Sequence, residues 1–435
     1  MAKQSSWVSE SWIASANDPD ADFPLTHLPY GAFKVTEGQH LCVAIGSSLV
    51  DLYQCAQFGL FPKALIEPCC QPVLNPLMSL GTTSWMFLRD TLTNLLRQDA
   101  PSKVQKVVET ALYPISEAVL LNPVNIPNYT DFYASIHHAY RVGELFRPDQ
   151  PLLPNYKYVP IAYHGRASSI ITSNTSVARP RGQLRPGTVG EPPAFLPTNA
   201  LDFELELAFY VGQSNLLGSP ILIDRAQQYI FGLSLLNDWS ARDIQAWEYQ
   251  PLGPFLGKNF ATTISPWITP IAALVPFRSP ASLRQSADPQ PLPYLTSSED
   301  QKSGAFDITL EAYLLTPAMR EQRIAPFRIG QSNSQGLYWT VAQMIAHHTS
   351  NGCNLQVGDV IATGTISGRD LSAAGCLLEL TKNGRNPLLL PTGETRVFLQ
   401  DNDEVILRGS CARLGYPRIG LGECCGKIIS PHSVD

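Results

Sequence analysis

Apolar residues occur mainly in short runs that alternate with polar ones, a pattern that predicts more strand than helix. The runs Leu41–Ile45 and Leu49–Leu52 flank Gly46-Ser47-Ser48, an order that is typical of a hairpin. Residues 78–112 instead carry apolar side chains every three or four positions, which predicts helix. Further strands are predicted at residues 203–211, 306–315, 358–363, 376–382 and 403–408.

A linker divides the chain. Residues 121–128 hold two prolines and three asparagines, a composition typical of a connection between domains. We therefore expect a small, mostly β domain over residues 1–120 and a larger β-rich domain over residues 121–435. The fold class that follows is mixed β/α and mostly β.

An acidic strand is the first candidate for chemistry. From Leu201 to Val211, apolar residues alternate with Asp202, Glu204 and Glu206. Alternate residues of a strand point the same way, so Glu204 and Glu206 would lie on one face and repel each other unless a cation or proton lies between them. Hard divalent cations prefer such all-oxygen sites, although a solvated strand face would give the same pattern.

A polar helix is the second candidate. Residues 237–249 predict a helix that begins at Asp238, with Asp238, Arg242, Gln245 and Tyr249 on one stripe. A loop rich in proline and glycine then presents Lys258 and Thr262, without the spacing of a phosphate-binding loop. A solvated helix is the alternative, but solvent-facing helices favour Glu and Lys over Gln and Tyr.

A histidine beside a carboxylate is the third candidate. If the chain turns helical after Asp131, then Asp131 and His138 lie seven residues apart on one face. That pair suits metal binding and general-base catalysis, while packing or exposure is the alternative for an isolated His137-His138 pair. Glu379 is expected on the strand at residues 376–382, after a glycine-bounded turn at residues 364–368.

Composition excludes several classes of protein. With 44% apolar residues and a net charge of −6, the chain can bury a core and lacks the cationic excess that general nucleic-acid binding needs. No apolar run approaches the ~18 residues that span a bilayer, so we expect neither a nucleic-acid nor a membrane partner. The nine cysteines include no C-x-x-C pair, which predicts reduced thiols and a cytoplasmic location.

These segments together resemble the fumarylacetoacetate hydrolase family, from Asp22 to Lys427. The resemblance implies a small SH3-like barrel domain followed by a larger, roll-like β-rich catalytic domain, assembled as a homodimer. It also implies a small-molecule substrate and hydrolysis of the carbon–carbon bond of 4-fumarylacetoacetate, with Mg²⁺ or Ca²⁺ as cofactor. The motifs that carry it are Tyr129–Tyr133, Tyr163–Ser169, Leu201–Glu206, Asn237–Tyr249 and Gly364–Gly368.

The resemblance also implies a role for each matching residue. His138 would be the general base, oriented by Glu379, whereas His137 has no matching role. Groups around the reacting carbonyl would be Arg242, Gln245 and Lys258. The metal ligands would be Asp131, Glu204, Glu206 and Asp238, with Lys258 and Thr262 beside a further cation position. The substrate contacts would be Tyr133, Arg147, Tyr163, Gln245, Tyr249 and Thr365.

Two other functions remain open at this point. A related enzyme could use the same metal site as an acylpyruvate hydrolase or an oxaloacetate decarboxylase. Alternatively, the chain could be an inactive metal-binding scaffold, although a scaffold needs no general base such as His138.

Overall fold

The computed structural model describes residues 10–188 and 190–432. The N-terminal part, up to residue 121, combines one small sheet with five helices. Its strands are β1 (Tyr30–Lys34), β2 (Gln39–Ile45), β3 (Ser48–Asp51), β4 (Leu112–Pro114) and β5 (Leu120–Leu121). Its helices are α1 (Leu52–Gln57), α2 (Lys63–Cys69), α3 (Asn75–Ser79), α4 (Thr82–Leu96) and α5 (Ser102–Glu109).

The remaining chain is richer in strands, many of them short. Its strands are β6 (Tyr129–Phe132), β7 (Ala162–Gly165), β8 (Ile170–Thr172), β9 (Val177–Ala178), β10 (Arg181–Leu184), β11 (Ala194–Pro197), β12 (Leu201–Asp202), β13 (Leu205–Val211), β14 (Ile230–Asp238), β15 (Ser240–Ala241), β16 (Thr262–Ile264), β17 (Thr269–Pro270), β18 (Arg278–Ser279), β19 (Ala305–Phe306), β20 (Thr309–Leu315), β21 (Phe327–Asn333), β22 (Val360–Ala362), β23 (Leu388–Leu389), β24 (Thr395–Arg396), β25 (Glu404–Cys411) and β26 (Ile419–Ile429). Its helices are α6 (Ile136–Phe146), α7 (Ile223–Ala226), α8 (Arg242–Glu248), α9 (Ser298–Ser303), α10 (Pro317–Glu321), α11 (Val341–Thr349) and α12 (Leu377–Leu380).

The N-terminal sheet is antiparallel, in the order β4-β3-β2-β1-β5. The predicted hairpin is confirmed, because Ile45 pairs with Ser48 across the turn. Alternate residues of β2 enter different cores: Leu41 and Val43 pack with the helices, whereas Cys42 packs on the opposite face beside Trp267. The sheet is therefore covered on both sides, which suits the short apolar runs of its sequence.

A larger sheet of eight strands forms the centre of the molecule, in the order β7-β6-β22-β13-β14-β16-β8, with β17 also paired to β14. The acidic segment predicted to have one polar face is in fact buried on both faces throughout β13. Leu207 and Phe209 join the main core, while Ala208 and Tyr210 pack into the core shared with the N-terminal helices. Burying each large apolar side chain contributes roughly 1.5–3 kcal/mol, so both units stabilise this sheet.

A second sheet, β21-β20-β25-β26-β9, packs against the central one and completes the main core. The predicted mixed β/α class, with separate N-terminal and C-terminal units, is confirmed. The N-terminal unit was expected to be mostly β but has more helix than strand. Within residues 10–188 and 190–432, no helix has both the length and the apolar character that crossing a membrane requires.

Two predicted elements are wrong. Residues 237–249 are not one helix: β14 continues to Asp238, β15 follows, and α8 begins only at Arg242. Residues 376–382 are not a strand, because Leu377–Leu380 form the helical turn α12 that carries Glu379. In both places tertiary contacts override the local sequence pattern: Asn237 pairs with Leu205 in the central sheet, and Asp202 accepts the backbone N–H groups that open α12.

Candidate active site

Four buried carboxylates converge where strands of the central sheet end. Asp131 lies on β6, Glu206 on β13 and Asp238 at the end of β14, while Glu204 occupies the break between β12 and β13. One oxygen from each lies within 4.8 Å of the others. The structure therefore brings together all four residues that were predicted to bind metal.

Two of these carboxylates have cationic partners. The ammonium of Lys258 contacts Glu204 and lies 2.7 Å from Asp238 Oδ2, and Arg242 Nη1 lies 2.8 Å from Glu204 Oε1. Burial opposes ionisation of Glu204, but Lys258 and Arg242 overcome it and hold the pKa of this carboxyl well below its usual range. Glu204 is therefore a carboxylate at neutral pH.

The other two carboxylates have unpartnered oxygens. Among the described residues, neither oxygen of Glu206 has a hydrogen-bond partner, and Asp131 Oδ1 lacks one too. Burial, followed by the charges of Asp131, Glu204 and Asp238, raises the pKa of Glu206 well above its usual value. The pKa of Asp131 rises for the same reasons, burial first and Asp238 next. Orphaned, like-charged oxygens in an all-oxygen set fit a hard divalent cation, which would satisfy and neutralise them together.

Two hydroxyl groups also bind Asp238. Thr262 Oγ1 donates to Asp238 Oδ1 at 3.0 Å, and Tyr163 donates its phenolic proton to Asp238 Oδ2 at 2.7 Å. A cavity of about 140 Å³ adjoins this group and is lined by Tyr163, Lys258, Thr262 and neighbouring residues. Thr262 and Lys258 thus lie against the carboxylate cluster, as the resemblance implied, and Tyr163 lies beside space that a ligand could occupy.

Helix α8 supplies a guanidinium and an amide. Arg242 Nε donates to Asp202 Oδ2 at 2.9 Å, and Arg242 Nη1 approaches Gln245 Oε1 at 3.4 Å. Tyr249 caps the end of α8 and is 37% exposed. Since Asp238 belongs to β14, the predicted four-residue stripe is wrong for Asp238 and holds only for Arg242, Gln245 and Tyr249.

The predicted base and its carboxylate partner are in direct contact. His138 Nδ1 lies 2.6 Å from Glu379 Oε1, and both side chains are buried. The residues are held by α6 and α12, so the expectation that Asp131 and His138 share a helix face is wrong: Asp131 is in a strand. His137 lines a surface groove of about 680 Å³.

Three side chains that the sequence reasoning missed hold Glu379. Ser367 Oγ donates to Oε1 at 2.7 Å, Cys376 Sγ lies 3.3 Å from the same oxygen, and Arg141 Nη1 donates to Oε2 at 2.7 Å. Burial opposes the charge, but His138, Ser367 and Arg141 together lower the pKa of Glu379 to about 2. The carboxylate is therefore ionised and fixed in orientation at neutral pH.

Another missed residue, Asp202, connects the two halves of the site. Its carboxylate binds Arg242 and also accepts the backbone N–H groups of Leu377 at 2.8 Å and Leu378 at 2.9 Å. Asp202 thereby links the guanidinium near the carboxylate cluster to the turn that carries Glu379. Asp202 belongs to the acidic pattern of residues 202–206, so the sequence did single it out. That pattern indicated only the strand face on which Asp202 lies and gave no sign of its contacts with Arg242 and α12.

The other predicted substrate contacts lie at different places around the site. The Tyr133 ring packs edge-on against His138 with centroids 5.3 Å apart, and Thr365 is buried with an unpartnered hydroxyl among the described residues. Gly364 has φ +74°, and a Cβ there would overlap the Phe132 carbonyl, so glycine lets this turn approach the backbone of residues 132–133. Arg147 lies at the end of α6 with Nη2 3.5 Å from the Pro151 carbonyl, and no contact described for it reaches the carboxylates.

Comparison with known protein families covers nearly the whole chain. The model described as "Fumarylacetoacetase N-terminal" matches residues 26–123, and "Fumarylacetoacetate (FAA) hydrolase C-terminal" matches residues 128–429. Curated relatives named fumarylacetoacetase include those of Arabidopsis thaliana, 47% identical over 94% of this chain and 96% of the relative, and of Homo sapiens, 44% identical over 94% and 97%.

Comparison with solved structures supports the fold alone. A fumarylacetoacetate hydrolase from psychrophilic Exiguobacterium antarcticum is 15% identical, with a TM-score of 0.51 over 93% of this chain and 99% of that one. A putative HpcE protein from Mycobacterium smegmatis is 20% identical, with a TM-score of 0.50 over 93% of this chain and 100% of its own.

Proposed function

The chain belongs to the fumarylacetoacetase family, and from that premise we propose that it hydrolyses 4-fumarylacetoacetate to fumarate and acetoacetate, the last step of tyrosine breakdown. One observation carries the proposal at the level of chemistry: a buried, paired histidine lies next to four converging carboxylates. Arg242 binds both Glu204 and Asp202, and Asp202 holds the turn that carries Glu379, so direct contacts join the base and the acidic cluster in one site.

His138 activates water in this proposal. Its Nδ1 faces the Glu379 carboxylate, so the neutral imidazole carries its proton there and leaves Nε2 free to accept one from water. The water attacks the ketone carbon beside the fumaryl group, and the carbon–carbon bond to the acetoacetate portion then breaks. The pair of electrons leaves with that portion as an enolate, which becomes acetoacetate on protonation.

Lys258 and Gln245 are the donors best placed for the developing oxyanion. Two of the three Lys258 ammonium protons go to Glu204 and Asp238, so one remains for substrate. Gln245 directs its carbonyl oxygen at Arg242, which leaves its NH₂ group for substrate. Arg242 directs Nε and Nη1 at carboxylates, and its Nη2 lies 2.9 Å from Asp202 Oδ2, so it acts chiefly by fixing Asp202 and Glu204 and by its charge.

We propose that Asp131, Glu204, Glu206 and Asp238 hold Mg²⁺ or Ca²⁺, with Lys258 and Thr262 beside them. The ion would supply a Lewis acid for the oxygens of the β-diketone and for the enolate charge. Tyr133, Arg147, Tyr163, Gln245, Tyr249 and Thr365 remain the proposed substrate contacts. Arg147 suits a substrate carboxylate, because a guanidinium can bind one with two hydrogen bonds.

The alternative functions have weaker support. An inactive scaffold does not account for the ionised, firmly held Glu379 beside His138. An acylpyruvate hydrolase or oxaloacetate decarboxylase could share the carboxylates, but curated relatives from a plant, mammals and an amoeba are named fumarylacetoacetase.

Assembly, location and domain division complete the proposal. We propose a homodimer, as the family resemblance implies, and a cytoplasmic enzyme; the nine cysteines, all free in the described structure, are compatible with a reducing compartment. We place the division of the chain near residue 120, next to β5 and before the linker at residues 121–128.

The test is a spectrophotometric assay of the purified protein with 4-fumarylacetoacetate. We expect loss of 4-fumarylacetoacetate with formation of fumarate and acetoacetate, abolition by EDTA, and recovery on addition of Mg²⁺ or Ca²⁺. An acylpyruvate and oxaloacetate serve as comparison substrates under the same conditions. Turnover of either comparison substrate in preference to 4-fumarylacetoacetate, or no turnover of any of them with metal present, would overturn the proposal.

A further inference from the structure

We infer that Arg141 is a positioning residue for the hydrolysis, an inference that rests on the function proposed above. Its guanidinium holds the Glu379 carboxylate and the backbone of residues 368–370 in the arrangement that orients His138. Arg141 does not touch the carboxylate cluster in any contact described here, so its action runs through Glu379.

A dense set of hydrogen bonds carries the inference. Arg141 Nη1 donates to Glu379 Oε2 at 2.7 Å. Nη2 lies within hydrogen-bond distance of three successive carbonyl oxygens, those of Gly368 at 2.5 Å, Arg369 at 2.7 Å and Asp370 at 2.8 Å, which share its two N–H groups. The Arg141 side chain is 16% exposed and that of Glu379 is fully buried, so water is a poor substitute for these bonds.

The position of Arg141 in the helix explains how it reaches both groups. It lies three residues after His138 in α6, so the two side chains share one helix face. Two side chains on this helix face therefore bind Glu379: His138 binds Oε1 and Arg141 binds Oε2. With both oxygens held from one helix, the carboxylate cannot rotate away from the imidazole without losing a charged partner.

The backbone contacts extend this effect to the substrate side of the site. Residues 368–370 follow the turn that carries Thr365 and Ser367, and Ser367 donates to the same Glu379. At the start of α6, Ser135 Oγ donates to the Ser367 carbonyl at 3.0 Å. Arg141 and Ser135 thus fasten the turn to the helix at two points, on either side of His138 in the sequence.

The electrostatic consequence has a definite sign. Without the Arg141 charge, Glu379 presents more negative potential to the imidazole and favours its protonated form. Because water activation needs the neutral imidazole, the acidic limb of the activity profile should move to higher pH. Besides Arg141, the charged or titratable groups around this pair include Tyr133 and Glu204 on the His138 side and Cys376 on the Glu379 side. His137 is a further one, because its ring interacts electrostatically with Glu379, Arg141 and Arg369.

The experiment compares Arg141→Met, Arg141→Lys and a matched control, Arg179→Met, in the full-length protein with Mg²⁺ present. Arg179 also binds one carboxylate, Asp401, and two backbone carbonyl groups, yet lies outside the site. Measurements are kcat/KM against pH, thermal unfolding, and titration of His138 by NMR with ¹³C-labelled histidine, its signal identified with His138→Ala. The NMR titration needs no substrate, so it tests Arg141 even if the proposed activity is wrong.

We expect Arg141→Met to lower kcat roughly tenfold to a hundredfold and to move both the acidic limb of the activity profile and the His138 NMR titration to higher pH. Arg141→Lys should lose less kcat and show smaller pH shifts than Arg141→Met, and Arg179→Met should leave kcat and both pH profiles unchanged. In a Glu379→Gln background, adding Arg141→Met should have little further effect on kcat. Unchanged titration in Arg141→Met, changes no larger than those of Arg179→Met, or full additivity with Glu379→Gln would each overturn the inference.

If wild-type protein lacks activity while the His138 titration responds to Arg141→Met, the proposed function fails and the positioning role stands. If wild-type protein is active and the titration does not respond, the positioning role fails and the function stands.

Discussion

Glu204 and Glu206 lie two residues apart in the same buried segment, yet only Glu204 has cationic partners. Arg242 and Lys258 both bind Glu204, whereas both oxygens of Glu206 are unpartnered among the described residues. Their pKa values are accordingly displaced in opposite directions, that of Glu204 downward by the two cations and that of Glu206 upward by burial and neighbouring charge. The protein neutralises Glu204 itself, whereas in the proposed metal site Glu206 would be neutralised by the bound cation.

This asymmetry predicts opposite effects of two similar substitutions on the metal-free protein. Glu206→Gln should keep or raise its thermal stability, because the variant replaces an unpartnered carboxyl whose ionised form is disfavoured by burial and by neighbouring charges. Glu204→Gln should lower it by several kcal/mol, because Lys258 and Arg242 lose a buried partner, a change that typically costs about 3–5 kcal/mol. Thermal unfolding in EDTA measures both.

The same pair of variants tests metal binding. Wild-type protein should gain about 3 kcal/mol of stability at a metal concentration one hundred times Kd, and Glu206→Gln should lose most of that gain. Calorimetric titration of Mg²⁺ or Ca²⁺ into chelated protein measures the affinity directly. A metal affinity equal to wild type in Glu206→Gln would show that its unpartnered oxygens are not ligands.

His138 and His137 provide a matched pair for the base. We expect His138→Ala to lower kcat by about 10²–10⁴-fold and to leave metal affinity unchanged, because no metal ligand is removed. His137→Ala should keep near-normal kcat, since His137 lines the surface groove rather than contacting Glu379. Steady-state kinetics of the two variants tests this assignment. Loss of activity in His137→Ala alone would show that His137, and not His138, is the base.

Substitutions of Arg242 and Tyr249 should affect different properties, the stability of the protein in the first case and its affinity for substrate in the second. Arg242→Ala leaves Asp202 and Glu204 without their shared guanidinium, so we expect a loss of about 3–5 kcal/mol in stability together with a lower kcat. Tyr249→Phe removes one hydroxyl at a partly exposed helix end, so stability should be unchanged and KM should rise about fivefold, the equivalent of one neutral hydrogen bond. A Tyr249→Phe variant that is slow at saturating substrate would contradict this assignment.

Much of the fold was predictable because it depends on local patterns. The hairpin around Gly46 and the helix from Thr82 to Leu96 follow from turn residues and apolar spacing. The acidic strand was also found, because leucine and phenylalanine residues alternate with carboxylates in residues 201–207. What the pattern missed there was the burial of both faces, which depends on the N-terminal helices packing against Tyr210.

The two wrongly predicted elements are both determined by contacts with residues that are distant in the sequence, which a local pattern cannot show. Glu379 is in a helical turn because Asp202, far away in sequence, accepts its opening N–H groups. Asp238 is in a strand because its neighbour Asn237 pairs with Leu205. Arg141 was overlooked although its spacing from His138 placed both on one helix face; a search for cations three or four residues from the base would have found it.

The His138–Glu379 pair also makes a prediction about pH and stability. Glu379 has a folded-state pKa of about 2, against 4.5 for the unperturbed group, since His138, Ser367 and Arg141 together outweigh burial. A depressed folded-state pKa stabilises the protein fully above pH 4.5, and that contribution is lost as the pH falls from 4.5 toward 2. By linkage the loss amounts to about 3 kcal/mol. Glu379→Gln cannot titrate at this position, so the difference in unfolding free energy between wild type and this variant should shrink steadily below about pH 4.5.

Urea unfolding of both proteins between pH 6 and pH 3 measures that difference. EDTA is present so that metal release does not contribute. A difference that stays constant across this range would mean that Glu379 is not held ionised by its partners in the folded protein.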